Sequence, residues 1–239
     1  MSFDCTEGSS QEQAGSALAA DVDSHEPLVL IVQGDAPMRA RLHALFAARG
    51  HRTVSFATAA AYMRHARPQS PACLVLDVDL PDACGVDLQR QIAGSAHPPV
   101  VFVTAHGDIG SSVSAMKQGA VDYLTEPLDP DRLSEAVSQA IATDRQRQAE
   151  RAARADLEQR YSSLTVRERQ VLPLIVSGLL NKQAGAELGI TEYTLKCHRG
   201  KLMQKMGARS LADLVRMANR LNVPLTGVPR RRQPVAPGI

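Results

Sequence analysis

Apolar residues in the first half of the chain gather in short runs, and longer segments of helical character separate these runs. The apolar runs lie at residues 28–32, 53–56, 73–77, 100–104 and 121–124. The segments between them lie at residues 37–49, 58–65, 85–93 and 109–118. Short apolar strands that alternate with crossover helices indicate a parallel sheet covered by helices on both faces. The pattern therefore predicts a five-stranded α/β domain over residues 27–143.

A long polar helix is predicted to follow this domain. Asp129 is a suitable N-cap, and Pro130 suits the first helical position, where its missing N–H costs nothing. No Gly or Pro interrupts residues 131–163, and Ala, Arg, Gln and Glu dominate them. The helix is therefore predicted to continue through residues 144–162 as a linker. The pattern leaves open whether this linker is a single solvated helix or half of a two-stranded coiled coil.

Capping residues predict an all-α domain of four helices over residues 163–221. Thr165 and Glu168 have the spacing of a capping box, and Gly178 ends the helix that they begin. The other three helices are predicted over residues 182–188, after the cap Thr191, and after a second capping box made by Ser210 and Asp213. Short helices joined by tight turns in this way are typical of a helix-turn-helix.

The third helix of this domain is predicted to present a basic face. Leu195, Leu202 and Met206 lie on one stripe, which is predicted to face the domain core. Four residues are then predicted to face outward, namely Lys196, Arg199, Gly200 and Lys201. Lysine and arginine neutralise phosphates or bind guanine edges, and a glycine lets the helix backbone come close to a ligand. The predicted face therefore suits the major groove of DNA.

The charge of the chain is divided unevenly between its two parts. The net charge is only +2, yet residues 161–239 hold 13 Lys and Arg against 4 Asp and Glu. The remaining residues hold 14 basic and 21 acidic side chains. Only the C-terminal part therefore has the electrostatic character of a nucleic-acid-binding domain.

The helical domain resembles the LuxR-type DNA-binding domain of NarL/FixJ response regulators. The resemblance covers about sixty residues and rests on Leu-Thr-x-Arg-Glu at 164–168, Asn181-Lys182 and Lys196-x-His198-Arg199. It implies DNA-backbone contacts for Lys182, Thr194 and His198, and base-reading positions at Lys196, Cys197 and Gly200. Because Gly200 has no side chain, sequence selection is expected to rest mainly on Lys196 and Arg199. The alternative is an ordinary helical bundle with a solvated basic face.

The α/β domain resembles the receiver domain of response regulators. The resemblance rests on the run at 74–81, which contains Asp77, on Thr104-Ala105, and on the run at 122–127. It implies a flavodoxin-like sheet in the order 2-1-3-4-5, with Asp77 at the phosphate-accepting position. It also implies that Thr104 and Tyr123 are the pair of residues that shift together when a receiver is switched.

Three positions of this receiver-like pocket depart from the family pattern. Gln33 and Gly34 stand where receivers have the acidic pair that holds a divalent cation, and Glu126 stands where they have a lysine. A negative charge at Glu126 is expected to repel a phosphoryl group and to oppose ionisation of Asp77. The pattern therefore predicts an atypical receiver that works without conventional phosphorylation of Asp77.

Magnesium is expected only if this pocket still functions, and no metal ligand is assigned beyond Asp35 and Asp77. Asp35 is expected to cap the helix that begins near Pro37 rather than to hold a cation. A second possibility stays open, in which four carboxylates bind a cation in a new way, namely those of Asp35, Asp77, Asp79 and Glu126.

The remaining segments and the composition bear on localisation. Residues 1–26 are expected to be a disordered leader, and residues 222–239 a flexible basic tail. No apolar run is long enough to cross a membrane, no signal peptide opens the sequence, and the four cysteines lack the spacing of metal ligands. A cytoplasmic protein with reduced thiols is therefore expected.

The sequence thus predicts a transcription regulator that binds double-stranded promoter DNA as a homodimer, with no catalytic residues. RNA polymerase and a cognate sensor kinase are further candidate partners. Three alternatives remain: a conventional regulator switched by phosphorylation of Asp77, a carboxylate-metal phosphatase built on the α/β domain, and a module that sequesters another regulator in mixed dimers. A phosphatase would leave the basic helix-turn-helix unexplained.

Overall fold

A computed structural model describes residues 26–224 of the chain. The predictions of a disordered leader and of a basic tail fall almost entirely outside these residues. The described residues divide into two compact units, of which the first ends at Gln146 and the second begins at Arg147. Across residues 26–224, no helix combines the length and the apolar character that a membrane span requires.

The first unit alternates five strands with helices. Its strands are β1 (Leu28–Val32), β2 (Arg52–Phe56), β3 (Ala72–Asp77), β4 (Val100–Thr104) and β5 (Asp122–Thr125). Its helices are α1 (Ala36–Ala48), α2 (Ala59–Met63), α3 (Gly85–Ile92) and α4 (Ile109–Lys117), followed by the start of α5 (Pro130–Ser162).

The strands form one parallel sheet in the order β2-β1-β3-β4-β5, as predicted. The central strands β1, β3 and β4 are buried on both faces, and successive side chains along each strand point to opposite faces. Leu30 and Leu74 belong to the core on one face, and Ile31 and Val75 belong to the core on the other. The strand β5 begins one residue later than predicted. It pairs only with β4, and Leu124 is its one fully buried residue.

The helix α5 is continuous from Pro130 to Ser162, as the sequence pattern predicted. Its N-terminal part packs Leu133 and Val137 into the core of the first unit. Asp144 is fully buried there, where it accepts a hydrogen bond from the backbone N–H of Ala72 (2.9 Å) and pairs with Arg67 (2.9 Å). These two bonds tie the helix to the start of β3 and to the loop before it.

The second unit contains the C-terminal part of α5 and the helices α6 (Val166–Val176), α7 (Asn181–Glu187), α8 (Glu192–Met206) and α9 (Leu211–Arg220). The capping box at the start of α6 is present, with Thr165 and Glu168 bonded reciprocally. The second predicted capping box is only half formed. Ser210 accepts from the N–H of Asp213, but the Asp213 carboxylate accepts from the N–H of Arg209 rather than from that of Ser210.

Candidate functional site

A pocket opens at the carboxyl ends of the central strands, where chemistry collects in parallel sheets. Asp77 is the last residue of β3, and the neighbouring strand β1 leads into Gln33 and Gly34. The pocket has a volume of about 480 Å³, and its lining includes Gly34, Asp35, Asp77, Asp79, Pro81 and Cys84. The fold therefore brings together the predicted acceptor and most of the residues that depart from the receiver pattern.

Asp77 lies in an environment that disfavours its charged form. Burial raises the pKa of Asp77 above its ordinary value, and the nearby Asp79 carboxylate raises it further. The backbone N–H of Asp79 donates to the Asp77 carboxylate (3.1 Å) and, with Val78 and the Gln33 amide, works in the opposite direction. The result is a raised pKa. The repelling charge comes from Asp79, not from Glu126 as expected from the sequence.

Gln33 and Gly34 occupy the places of the missing acidic pair. Gln33 is 4% exposed, and its Oε1 accepts from the N–H of Asp35 (2.9 Å), so its side-chain NH₂ group is left to hydrogen-bond with Asp77. A neutral amide donor thus stands beside the acceptor carboxylate. A Cβ atom at Gly34 would lie 2.8 Å from Cδ of Pro81, closer than packed atoms tolerate. A carboxylate at position 34 would therefore require the 79–81 loop to move.

The four-carboxylate cation site considered above does not form. Asp35 caps α1, as favoured from the sequence, and its Oδ2 accepts from the N–H of Met38 at 2.8 Å. Glu126 is exposed and lies outside the lining of the pocket. Within residues 26–224, no three His, Cys, Asp or Glu side chains converge in a way that would hold a metal ion. Mg²⁺ is usually held by one or two carboxylates together with waters and substrate phosphates. Of the carboxylates that line the pocket, Asp35 is engaged in the cap of α1 and Asp77 has a raised pKa, so neither is a favourable ligand for a cation.

The hydroxyl and aromatic pair lies on the adjacent strands β4 and β5. Thr104 is fully buried, and its Oγ1 exchanges hydrogen bonds with the backbone of His106, accepting from its N–H at 3.2 Å. The centres of the Tyr123 and Phe102 rings lie 5.9 Å apart. Its hydroxyl is buried and has no hydrogen-bond partner among the described residues. Burial, with Asp108 and Asp79 nearby, raises the pKa of this phenol.

The helix α8 presents the predicted basic face in the second unit. Lys196, Cys197, Gly200 and Lys201 are exposed on it, and Lys182 is exposed on α7. Thr194 and His198 are half-buried at the border of this face, and Thr194 bonds through its hydroxyl to that of the cap Thr191 (2.9 Å). Lys196 pairs with Glu192 one turn earlier, with 3.4 Å between the charged atoms. This pair is exposed, so it holds the ammonium group only weakly.

Arg199 does not belong to this face, and the prediction that it faces outward is wrong. Its guanidinium Nη1 donates to Oδ1 of Asn181 on α7 at 3.1 Å, and the residue is half-buried. The reason lies in the helical spacing. Position 199 falls between Leu195 and Leu202 on the stripe that packs inward, four residues after one and three before the other. Arg199 therefore joins α8 to α7, which sequence reasoning missed although this spacing signalled it.

Two family models match the chain. The response regulator receiver domain matches residues 29–138, and the bacterial regulatory proteins of the luxR family match residues 162–218. Both matches fall on the units that carry the pocket and the helix α8.

Similar proteins match this chain over most of their length. Nodulation protein W of Bradyrhizobium diazoefficiens is 42% identical over 201 residues, which cover 84% of this chain and 88% of that protein. The transcriptional regulatory protein FixJ of the same species is 37% identical over 198 residues, which cover 80% of this chain and 94% of that protein. Among solved structures, the response regulator StyR is 41% identical with a TM-score of 0.75, and 82% of this chain and 99% of that one are covered.

Proposed function

The chain belongs to the DNA-binding response regulators that join a receiver domain to a LuxR-type helix-turn-helix, and from this premise we propose that it regulates transcription from promoter DNA as a homodimer. We further propose that its receiver works without conventional phosphorylation of Asp77. The first proposal concerns α8 and the second concerns the pocket of the receiver.

The exposed basic face of α8 is the observation that carries promoter binding. Lys196 and Lys201 stand on the face where Cys197 and Gly200 leave the helix backbone accessible. A helix with this profile fits the major groove, and the lysines supply attraction to phosphate and hydrogen bonds to guanine. Lys182, Thr194 and His198 border the same face and are proposed to contact the DNA backbone. Arg199 is assigned to the contact between α8 and α7 instead.

An apolar stripe on α4 supports the proposal of a homodimer. Ile109, Val113 and Met116 follow one another at spacings of four and three residues, and they are 83%, 45% and 47% exposed. Neighbouring large apolar side chains on a helix surface are unusual unless a partner covers them. A second copy of the receiver is the proposed partner, because symmetric pairing of one surface is the commonest form of assembly.

Gln33 and Gly34 carry the proposal about phosphorylation. Attack on phosphorus needs an ionised carboxylate and positive charge around the transferred group. Asp77 has a raised pKa and an amide where a cation ligand would stand, and Pro81 blocks a side chain at position 34. Glu126 stands at the position where receivers have a lysine, so that positive charge is absent as well. Both sources of positive charge near Asp77, the divalent cation and the lysine, are thus weakened or lost.

A conventional regulator that uses Asp77 is the second candidate. The open pocket beside Asp77 favours it, and so does the similarity to relatives whose names describe response regulators. The two candidates differ in one measurable event, which is the transfer of a phosphoryl group to Asp77.

The deciding experiment is the intact mass of the protein after incubation with a small phosphodonor and Mg²⁺. Wild type and Asp77→Asn are compared, and a receiver with the full acidic pair and lysine serves as the positive control. We expect no phosphoryl group on the wild type. A gain of one phosphoryl group on the wild type and none on Asp77→Asn would establish the conventional candidate instead.

A further inference from the structure

The first turn of α8 exposes an aromatic side chain, that of Tyr193, to solvent. Tyr193 is 78% exposed, and among the residues that the structure describes it makes no hydrogen bond and no ring contact. The other described Phe and Tyr side chains are all buried or half-buried. Tyr193 therefore does not contribute to the core of the second unit.

Tyr193 shares a face of the helix with the positions that point to DNA. Residues three, four and seven positions after it are Lys196, Cys197 and Gly200, and side chains at these spacings lie one above another on a helix. All four positions are exposed. The N-terminal residues of a reading helix are the ones that contact base edges in a helix-turn-helix. Tyr193 extends the reading face at that end.

The side chains of this face differ in length along its first turns. Cys197 is short and Gly200 has no side chain, and a Cβ atom at Gly200 would meet nothing within 4 Å, so the glycine is not required by packing. Arg199 is bonded to Asn181 and is not on the face. Tyr193 and Lys196 are therefore the long side chains that the N-terminal half of this face offers to the groove, and Lys201 stands further along the helix.

We propose that Tyr193 is a specificity-determining residue, whose ring packs against the 5-methyl group of a thymine next to the base pair contacted by Lys196. An aromatic ring gains from covering a methyl group in the major groove, and the methyl group distinguishes thymine from the other bases there. This inference rests on the proposed binding to promoter DNA.

The test begins with selection of preferred duplexes from a randomised library by the full-length wild-type chain. Failure to enrich any sequence would count against promoter binding itself, and would contradict this inference with it. With an enriched site in hand, each thymine is replaced in turn by deoxyuridine, which lacks only the methyl group. At one thymine we expect wild-type affinity to fall about fourfold, the value for one buried methyl group.

The same substitutions are then measured with Tyr193→Ala and with Val166→Ala. Val166 is 73% exposed on α6 and serves as a matched loss of exposed apolar surface away from the reading face. Tyr193→Ala is expected to bind thymine and deoxyuridine equally at that position, while Val166→Ala behaves as wild type. Affinity for a scrambled duplex, which depends on lysine and arginine, is expected to stay unchanged.

Equal thymine dependence in wild type and Tyr193→Ala at every position would overturn the inference and would point to a protein partner for Tyr193. Because the side chain is exposed, Tyr193→Ala is expected to keep the wild-type melting temperature, which separates loss of recognition from loss of folding. Tyr193→Phe keeps the ring, and it is expected to keep the preference for the methyl group.

Discussion

At the scale of single side chains, Lys196 and Arg199 have opposite surroundings although they are three residues apart on α8. Lys196 is exposed and only weakly paired with Glu192, so it is free to turn toward DNA at little cost. Replacing Lys196 by Ala is predicted to weaken specific DNA binding by about 1–3 kcal/mol. A titration at fixed salt measures this, with Lys117→Ala on the receiver as the control. Unchanged affinity would show that Lys196 does not contribute to DNA binding.

Arg199 is predicted to act on stability through its bond to Asn181. Arg199→Ala removes the hydrogen bond that the charged guanidinium donates, and the Asn181 side-chain oxygen loses its donor. The free energy of unfolding is therefore expected to fall by about 1–2 kcal/mol. Urea denaturation of the single variants and of the double variant with Asn181→Ala measures the coupling. Strictly additive losses would mean that the two side chains do not interact.

At the scale of the element, an ion pair with a buried carboxylate holds the start of α6 to the end of α8. Glu168 is 2% exposed, accepts from the N–H of Thr165, and receives Lys205 at 2.7 Å. Burial opposes ionisation of Glu168, but the hydrogen bonds from Lys205 and Thr165 outweigh it and hold the pKa of Glu168 below its ordinary 4.5. The capping box is therefore also a tertiary contact between helices.

This arrangement predicts a dependence of stability on pH. A carboxyl group whose pKa is lowered by folding stabilises the folded state above its unfolded pKa, and that stability is lost as pH falls through the lower folded value. Glu168→Gln keeps an acceptor for the cap but removes the charge. At pH 7 it is expected to be less stable than wild type by about 1–2 kcal/mol. Denaturation curves should converge as pH falls below 4.5, and a constant difference would contradict the role of the charge.

The apolar stripe of α4 yields a prediction about assembly. A charge at Val113 would be buried against an apolar partner, so Val113→Glu is expected to weaken dimerisation by about tenfold or more. Sedimentation over a range of concentrations measures the dissociation constant. Met63→Glu on α2, where the native side chain is 52% exposed, introduces the same charge on another surface and should leave the dimer intact. Equal effects of the two substitutions would place the interface elsewhere.

At the scale of the whole molecule, the proposal that the receiver works without conventional phosphorylation makes a prediction about promoter output. Because the pocket lacks the charges that support a phosphoryl group, Asp77→Asn is predicted to leave promoter output nearly unchanged in a reporter assay. Lys196→Ala measured in parallel shows that the assay responds to loss of DNA binding. Loss of output in Asp77→Asn alone would show that Asp77 is required for signalling.

Local chemistry was sufficient to predict the elements of this protein. Apolar runs of strand length, the caps at Asp35, Thr165 and Thr191, and an uninterrupted helix-forming segment each act within a few residues, so the sequence alone determines them. The sheet order and the division of charge followed from the resemblance and from the composition. The acceptor position of Asp77 was predicted from the resemblance, and the outward face of Lys196 was predicted from the helical spacing of the apolar stripe on α8.

The tertiary structure decided the interactions between residues that are distant in the sequence. The bond from Arg199 to Asn181, the closeness of Gly34 to Pro81, and the separation of Glu126 from the pocket all depend on how strands and helices are placed in space. A pattern of residue types fixes which face a side chain occupies, but not which partner stands opposite. Electrostatic and steric effects decline over a few ångströms, so their consequences for Asp77 became visible only once the neighbours were in place.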